Sequence, residues 1–385
     1  MANKINLYIL CSGDIEMNIK MNNVLFKTLF SKIHNVVFVD VKINHSNLIQ
    51  SPVIYSHNYK TISVKTISEL AKLLKKECVI LSLLSHNPRD WIIFFMAKIY
   101  KRKIVYQNLL GEIVKVSPHL SSSSFINNIM RKFKPLILLN YLYAILTKLG
   151  ILQKIDTLYT TERSAKAKYH NNKSYNRVKL INSKFYDALI ENQNPATEEY
   201  IVFLDSMVPY HGDQLRMGFE PMDANYYFHH LNLFFVLLEE LTLKKVVVCL
   251  HPKYDEKNLI KDFPNNLAVK NESDKYIPKA SLVLCHETTL INYAVVYNKK
   301  IIQLTSKKFN DFLSENIKSW FDALGIAQIE FDSGLNKNQI NEILQKKVKN
   351  MHQSYLSTSI IASGFEGELG SDQIVLDLKE HYGIE

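Results

Sequence analysis

Residues 246–256 read VVVCLHPKYDE, an apolar run that passes directly into histidine, proline and lysine. The apolar residues from Val246 to Leu250 predict a strand buried on both faces, as parallel strands between two layers of helices are. The packing of such a strand in a core does not require an imidazole or an ammonium group at its end. We therefore expect His251 and Lys253 to face a ligand beyond the strand.

Apolar strands followed by polar turns and amphipathic helices recur along the chain. The clearest strands lie in 5–13 (INLYILCSG), 35–41 (NVVFVDV), 78–90 (CVILSLLSHNPRD), 200–206 (YIVFLDS) and 281–289 (SLVLCHETT). This alternation predicts an α/β fold with parallel sheets that are covered by helices on both faces.

Two of the predicted helices have recognisable first residues. Thr66 precedes the helix in TISELAKLLKKE, and Glu69 completes a capping box with it. Asp223 is the predicted N-cap of the long helix in MDANYYFHHLNLFFVLLEEL.

A polar gap divides the chain into two α/β halves. Residues 191–200 read ENQNPATEEY, which is typical of a linker. A chain of 385 residues with 47% hydrophobic content also exceeds what one core usually supports. We predict a Rossmann-like domain at 1–190, a second one at 191–335, a cleft between the two, and a helical segment at 336–385.

Composition narrows the class of partner. The net charge of +10 favours a polyanionic partner, but the lysines are dispersed and no nucleic-acid-binding motif is visible, so we expect no nucleic acid. The four cysteines lack zinc-ligand spacing, so we expect no metal, and they suit reduced thiols in the cytoplasm. No signal peptide is recognisable at the N-terminus.

The most apolar stretch lies at 134–154 (KPLILLNYLYAILTKLGILQK) and is interrupted by Asn140 and Lys148. Its uninterrupted apolar run is shorter than the roughly 20 residues that a membrane span needs. It follows the basic residues Arg131, Lys132 and Lys134. Two interpretations stay open: residues 131–152 form a surface helix on anionic lipid, which would make the protein peripheral to the inner face of the cytoplasmic membrane, or a buried helix between domains.

Polar residues follow several strands of the second half, at the edge where open α/β sheets bind ligands. They are Asp205 and Ser206, His251 and Lys253, His286 to Thr289, and Thr305 and Ser306. His251 can donate a hydrogen bond to a phosphate oxygen, and Lys253 adds positive charge. Glu287 can accept a hydrogen bond from a ribose hydroxyl or a base.

Thr288 and Thr289 stand at the start of a predicted helix, where hydroxyls and backbone N–H groups favour an anion. Each feature alone has a plainer explanation, a turn for His251–Pro252 and a helix cap for the threonines. Their occurrence at corresponding strand ends favours a shared phosphate site.

The segment 203–221 (FLDSMVPYHGDQLRMGFEP) offers candidates for a general base. A carboxylate or imidazole near an acceptor hydroxyl can take its proton, and Asp205, His211 and Asp213 all qualify. We favour Asp213 over Asp205, because Asp205 can equally be the residue that holds a turn.

The N-terminal half supplies fewer candidates. His86, Arg89 and Glu112 follow its strands and are predicted acceptor contacts. Ordinary loop polarity explains each of them equally well.

At these residues the chain resembles bacterial sialyltransferases and related CMP-sugar transferases of the two-Rossmann, GT-B type. Those enzymes carry two acidic residues before a glycine, then His-Pro, then a Ser-Ser or Ser-Thr pair. His251–Pro252 matches the second motif, and Thr288–Thr289 stands where the third belongs. The acidic motif has no clean match, and HGD and LDS are the nearest segments.

The resemblance implies that His251 contacts the donor phosphate and helps the nucleotide leave, while Thr288 and Thr289 bind that phosphate. The C-terminal half also resembles uncharacterised proteins from bacterial capsule and O-antigen clusters.

These likenesses imply an inverting, metal-independent glycosyltransferase of surface-polysaccharide biosynthesis. Its donor would be a nucleotide sugar, a CMP-activated sialic-acid-like or Kdo-type sugar, and its acceptor a glycan, free or lipid-linked. No metal or other cofactor is expected. Two alternatives remain: a donor such as phosphoribosyl pyrophosphate or a polyol phosphate on the same scaffold, and a non-catalytic, membrane-associated subunit of a polysaccharide assembly complex.

Overall fold

The computed structural model describes residues 5–11, 15–43, 59–84, 90–107, 135–162, 165, 175–192, 199–212, 214, 219–334, 336–345 and 351–385. The described residues up to Asp187, together with Ile361–Glu385, form one compact unit, and those from Ala188 to Ile360 form a second. The described part of 336–385 is thus divided between the two units.

The described strands form two sheets, one in each unit. They are β1 (Asn6–Cys11), β2 (Val36–Val41), β3 (Thr61–Val64), β4 (Cys78–Ser82), β5 (Lys103–Gln107), β6 (Ile155–Thr160), β7 (Tyr175–Leu180), β8 (Tyr200–Leu204), β9 (Val246–Leu250), β10 (Leu267–Lys270), β11 (Ala280–Cys285), β12 (Ile301–Thr305) and β13 (Ala327–Glu330).

The described helices connect these strands and form the C-terminal part of the chain. They are α1 (Ile15–Met21), α2 (Asn23–Lys32), α3 (Ile67–Leu74), α4 (Trp91–Ile99), α5 (Pro135–Lys148), α6 (Lys184–Glu191), α7 (Ala224–Thr242), α8 (Leu259–Asp262), α9 (Ser273–Tyr276), α10 (Ile291–Val296), α11 (Asp311–Leu324), α12 (Lys337–Gln345), α13 (Met351–Tyr355) and α14 (Gly370–Tyr382).

Both sheets are parallel throughout their described strands, as the sequence predicts. The first has the order β3-β2-β1-β4-β5-β6-β7, and the second has the order β10-β9-β8-β11-β12-β13. In each sheet the first strand in the chain lies inside, with later strands added to both sides of it. This is the doubly wound arrangement of Rossmann-like domains.

The strands are apolar throughout because each sheet is covered on both faces. Successive residues of β1 point to opposite sides: Leu7 and Ile9 pack in one hydrophobic cluster, and Tyr8 and Leu10 pack in another. All of these side chains are at most 3% exposed. A strand in this position has no solvent-facing side that would tolerate polar residues.

Both predicted helix caps are confirmed. Thr66 Oγ1 accepts the backbone N–H of Glu69 at 3.2 Å, and Glu69 Oε2 accepts that of Thr66 at 3.1 Å, which completes the capping box at α3. Asp223 Oδ1 accepts the N–H of Tyr226 at 2.7 Å at the start of α7.

The last helix, α14, packs in the first unit. Its residues Ile374 and Leu378 are fully buried in the same cluster as β1. Asp377 of α14 accepts a hydrogen bond from Tyr159 at 2.8 Å and pairs with Arg177 and with Lys179, whose Nζ lies 3.1 Å away. The C-terminus of the chain therefore completes the core of the N-terminal unit.

Candidate functional site

The second sheet has a topological switch point between β8 and β11. From β8 the chain proceeds through β9 to β10, and then returns to add β11 on the other side of β8. In open parallel sheets, ligands bind outside the carboxyl ends of the strands at such a point. The predicted phosphate-site residues follow β9 and β11, and two candidate bases follow β8. The structure brings these groups to one edge, where β9 and β11 are two strand spacings, about 10 Å, apart.

Asp205 follows β8 and lies inside the protein, with 2% of its surface exposed. Its Oδ1 accepts the backbone N–H of Met207 at 2.8 Å, and its Oδ2 accepts that of His251 at 3.3 Å. Burial raises the pKa of Asp205 to about 6, and the two N–H groups oppose that rise. The carboxylate thus holds the loops after β8 and β9 together.

Ser206 connects the loop after β8 to the loop after β11. Its Oγ donates to the backbone carbonyl of Glu287 at 2.6 Å. The next residue, Met207, has a φ of 53°, which is uncommon for a residue other than glycine and belongs to a tight turn. Together with Asp205, Ser206 fixes the ends of three neighbouring strands to one another.

His251 begins a turn in which the N–H of Tyr254 donates to the His251 carbonyl at 2.9 Å. Its ring nitrogen Nδ1 accepts the N–H of Lys253 at 3.1 Å. A neutral imidazole that accepts at Nδ1 carries its proton on Nε2. The turn therefore fixes a tautomer whose Nε2–H can donate to a phosphate oxygen.

His211 lies beside His251, with the two ring centroids 5.8 Å apart and the ring planes at 71°. It follows a short 3₁₀ helix at Val208–Tyr210. Of two neighbouring imidazoles, one can donate a hydrogen bond while the other accepts a proton. The structure therefore brings one of the predicted bases to the predicted phosphate-site histidine.

Thr288 and Thr289 are partly buried and lie in the turn between β11 and α10. The helix begins at Ile291, so the threonines precede it instead of forming its first turn. Thr288 Oγ1 accepts the N–H of Leu290 at 3.3 Å. Lys253 is exposed, and an exposed lysine can add positive charge near a ligand without holding one fixed position.

His286 directly follows β11 but is a core residue with no exposed surface. Its Nδ1 lies 2.8 Å from the carbonyl of Leu304, which can only accept, so Nδ1 carries the proton and Nε2 accepts from the Tyr227 hydroxyl at 2.7 Å. Burial lowers the pKa of His286 to about 4. This histidine is therefore neutral at physiological pH and belongs to the core, so it does not face a ligand.

A carboxylate beyond β13 was missed by sequence reasoning. Ser306 Oγ donates to Asp332 Oδ2 at 2.5 Å, and the Tyr226 hydroxyl donates to the same oxygen at 3.2 Å. The ammonium of Lys308 lies 3.4 Å from the centroid of the Tyr226 ring. Asp332 could have been recognised because it closely follows a strand, but the sequence does not show β13 as an apolar run.

Four predicted residues lie outside the described part of the chain. They are Asp213, which the sequence favours as the base, and His86, Arg89 and Glu112, which it predicts as acceptor contacts. Their roles stay predictions.

Within the described ranges, no three His, Cys, Asp or Glu side chains come together in a group that could hold a metal ion. In the same ranges, each helix is too short or too polar to cross a membrane.

Comparison with known proteins identifies the fold. No protein-family model and no curated protein matches the chain. The chain is similar to a Methanocaldococcus jannaschii UDP-GlcNAc 2-epimerase in complex with UDP-GlcNAc and UDP, with 12% identity over 97% of this chain and 99% of that one and a TM-score of 0.51. It is similar to the wall teichoic acid polymerase TagF, with 10% identity over 97% and 90% and a TM-score of 0.52.

It is also similar to the spinosyn rhamnosyltransferase SpnG in complex with thymidine diphosphate, with 11% identity over 96% of this chain and 99% of that one and a TM-score of 0.50. With the two parallel sheets, these likenesses show a GT-B-type fold of two Rossmann-like domains. The predicted fold class is confirmed.

Proposed function

We propose that the protein is a glycosyltransferase whose phosphate-activated sugar donor binds at the carboxyl edge of the second sheet. One observation carries the proposal: His251 is held at the end of β9 with its proton on Nε2, and the hydroxyls of Thr288 and Thr289 stand two strands away across the switch point. Hydrogen-bond donors on both sides of a switch point suit a phosphate.

In the proposed reaction, an acceptor hydroxyl attacks the anomeric carbon of the donor sugar. A bond forms from that oxygen to the carbon as the bond from the carbon to the phosphate oxygen breaks, and the bonding pair leaves with the nucleotide. His251 and the two threonines stabilise the charge on the departing phosphate, and Lys253 adds field. Hydrogen bonds from His251 and the threonines, together with the positive charge of Lys253, stabilise the departing phosphate without a metal ion, and a single displacement inverts the anomeric configuration.

The acceptor's proton passes to a base. Asp205 is poorly suited, because it is buried and its two oxygens accept backbone N–H groups. We propose His211 or Asp213 as the base and Asp205 as the residue that positions His251. The distance of 5.8 Å between the His211 and His251 rings supports His211.

The donor is proposed to be a nucleotide sugar. Similar structures hold UDP, UDP-GlcNAc and thymidine diphosphate, and this supports a donor that contains a nucleotide. Cytidine monophosphate as the leaving group, and a role in bacterial surface-polysaccharide synthesis, rest on the His251–Pro252 and Thr288–Thr289 motifs.

Transfer of a polyol phosphate is a second candidate. The similarity to a wall teichoic acid polymerase and the pair of imidazoles at His211 and His251 favour it. Here the acceptor oxygen would attack phosphorus, and the nucleotide would again leave with the bonding pair.

The test begins with thermal unfolding in the presence of CMP, UDP, GDP, thymidine diphosphate and phosphoribosyl pyrophosphate. A ligand of the folded protein raises the melting temperature. The nucleotide that does so selects the donors for turnover assays with sugar nucleotides and nucleotide-activated polyol phosphates. We expect transfer of a sugar and its near-complete loss in His251→Ala. Full activity in that variant would contradict the mechanism, and transfer of a polyol phosphate would select the second candidate.

A further inference from the structure

The first unit exposes large apolar side chains on α4 and in and just after α5. They are Trp91 and Ile99 on α4, and Leu139, Leu142, Ile145, Leu149 and Ile151 in and after α5. Each has between 44% and 67% of its surface exposed. We call this set the α4–α5 surface.

The two helices are neighbours. The rings of Phe94 on α4 and Tyr143 on α5 contact each other with centroids 6.3 Å apart, and the N–H of Gln153 donates to the Phe94 carbonyl at 3.1 Å. Phe94 and Tyr143 belong to one buried cluster on the sheet. The exposed apolar residues therefore belong to two helices that pack side by side, and large exposed apolar surfaces of this kind mark binding sites for proteins or membranes.

The helical positions explain why these side chains are not in the core. On α5, Tyr143 and Thr147 are buried, whereas Leu142, Ile145 and Leu149 repeat at intervals of three and four on an outer face. An outer face of a helix in a soluble environment is ordinarily polar. The apolar residues here therefore indicate an apolar partner.

Charge identifies the partner. The segment 91–103 contains four lysines and arginines and no acidic residue, and the described segment 135–155 contains two lysines, Lys148 and Lys154, and no acidic residue. Lys98, Lys101 and Lys148 are exposed next to the apolar positions. Exposed apolar side chains on two helices whose own charged residues are all basic match the boundary of an anionic bilayer, which offers acyl chains beneath phosphate groups.

We propose that the α4–α5 surface binds an anionic membrane, with the apolar side chains in the acyl boundary and the lysines at the lipid phosphates. The helices lie on the bilayer and do not cross it. Binding to lipid does not depend on the proposed transferase activity. If both hold, the first unit brings the enzyme to a lipid-linked acceptor.

Trp91 supplies a direct signal, because the chain has two tryptophans and the other, Trp320, is fully buried in the second unit. The full-length protein is mixed with vesicles of phosphatidylcholine alone or of phosphatidylcholine with phosphatidylglycerol. We expect a blue shift of the emission, and quenching by brominated lipid, with the anionic vesicles only. Trp91→Phe should lose this signal.

Co-sedimentation with the same vesicles measures binding. Leu142→Gln with Leu149→Gln, and separately Lys98→Glu with Lys148→Glu, should each reduce binding to anionic vesicles about tenfold or more. Matched controls change exposed residues of the second unit and should bind as the wild type does. They are Leu233→Gln with Val236→Gln on α7, and Lys257→Glu with Lys261→Glu. Circular dichroism melting checks that each variant folds.

Several results would overturn the proposal. Equal binding to both kinds of vesicle would show that the lysines do not recognise lipid phosphates. No binding to either kind would show that the α4–α5 surface does not bind a membrane. Sedimentation of the lipid-free wild type as a dimer, together with a monomeric Leu142→Gln, Leu149→Gln variant, would assign the surface to a second copy of the chain.

Discussion

Asp205 and His286 are two buried ionisable residues next to the candidate site, and burial favours the neutral form of each. It raises the pKa of Asp205 to about 6 and lowers the pKa of His286 to about 4. Their effects on stability therefore run in opposite directions with pH. This makes the two residues separable by experiment.

His286 should make the protein less stable as the pH falls. Unfolded histidine titrates near 6.5, whereas His286 in the folded protein stays neutral down to about 4. Between these values the unfolded chain binds the proton more readily, so acidification costs up to about 3 kcal/mol. Urea unfolding at several pH values in a Trp91→Phe background, followed by the fluorescence of Trp320, measures this slope. His286→Gln should flatten it, and His229→Gln on the exposed side of α7 should not.

Asp205 should have the opposite effect. Its pKa is about 6 in the folded protein against 3.8 when unperturbed, so the unfolded chain loses its proton first as the pH rises. The wild type should lose about 3 kcal/mol relative to Asp205→Asn between about pH 4 and pH 6. The exposed Asp322→Asn on α11 is the control. A constant difference between wild type and Asp205→Asn over this range would refute the shift.

At the scale of elements, β6 carries two buried threonines with different surroundings. Thr157 Oγ1 accepts from Arg177 Nε at 3.0 Å and shares a hydrogen bond with the Tyr382 hydroxyl at 2.6 Å. Thr160 Oγ1 is buried without a partner among the described residues. Replacing each hydroxyl by a methyl group of similar size should therefore have opposite consequences.

Thr157→Val should lower the free energy of unfolding by about 2 kcal/mol, because it removes the acceptor of Arg177 Nε and a hydrogen-bond partner of the Tyr382 hydroxyl. Thr160→Val should raise it by about 1 kcal/mol, because a buried hydroxyl without a hydrogen bond is removed. Thermal unfolding of the two variants side by side measures both signs. A similar loss in both variants would mean that Thr160 has a partner.

The start of α14 depends on a glycine. A Cβ on Gly370 would lie 2.0 Å from the Asn182 carbonyl oxygen, and Asp187 accepts the N–H groups of Gly370 and Ser371 at 2.6 and 3.0 Å. Gly370→Ala should therefore displace α14 and cost about 3 kcal/mol, measured as a lower melting temperature. Gly212→Ala is the matched control, because no atom of the described residues lies within 4 Å of its Cβ position.

The sequence predicts the apolar interior strands and misses two of the four outermost strands, β3 and β13. β1, β2, β4 and β9 are apolar on both faces, and the pattern identifies all of them. β3 (TISV) and β13 (AQIE) are short edge strands that mix polar and apolar residues, so neither shows an apolar run. An edge strand is partly exposed to solvent and tolerates polar residues, so it lacks the uninterrupted apolar run from which the strands are predicted.

At the scale of the whole molecule, the sequence predicts the edge at which site residues meet, but not the role of each. His251 and His286 both follow apolar strands, yet one lies in a surface turn and the other is buried. Only the tertiary packing distinguishes them. The position of α14 in the first unit was likewise invisible, because its pairing of Asp377 with Arg177 joins residues 200 positions apart.

The proposed function depends on contact between His251 and the phosphate of a bound nucleotide. Isothermal titration calorimetry of the wild type, His251→Ala and the exposed control His229→Ala tests it, with the nucleotide that gives the largest thermal shift. We predict that His251→Ala weakens binding by about 10- to 100-fold, the loss of one hydrogen bond to a charged group, while His229→Ala binds as the wild type does. Equal affinity in the wild type and His251→Ala, or no binding of any nucleotide, would contradict the proposed function.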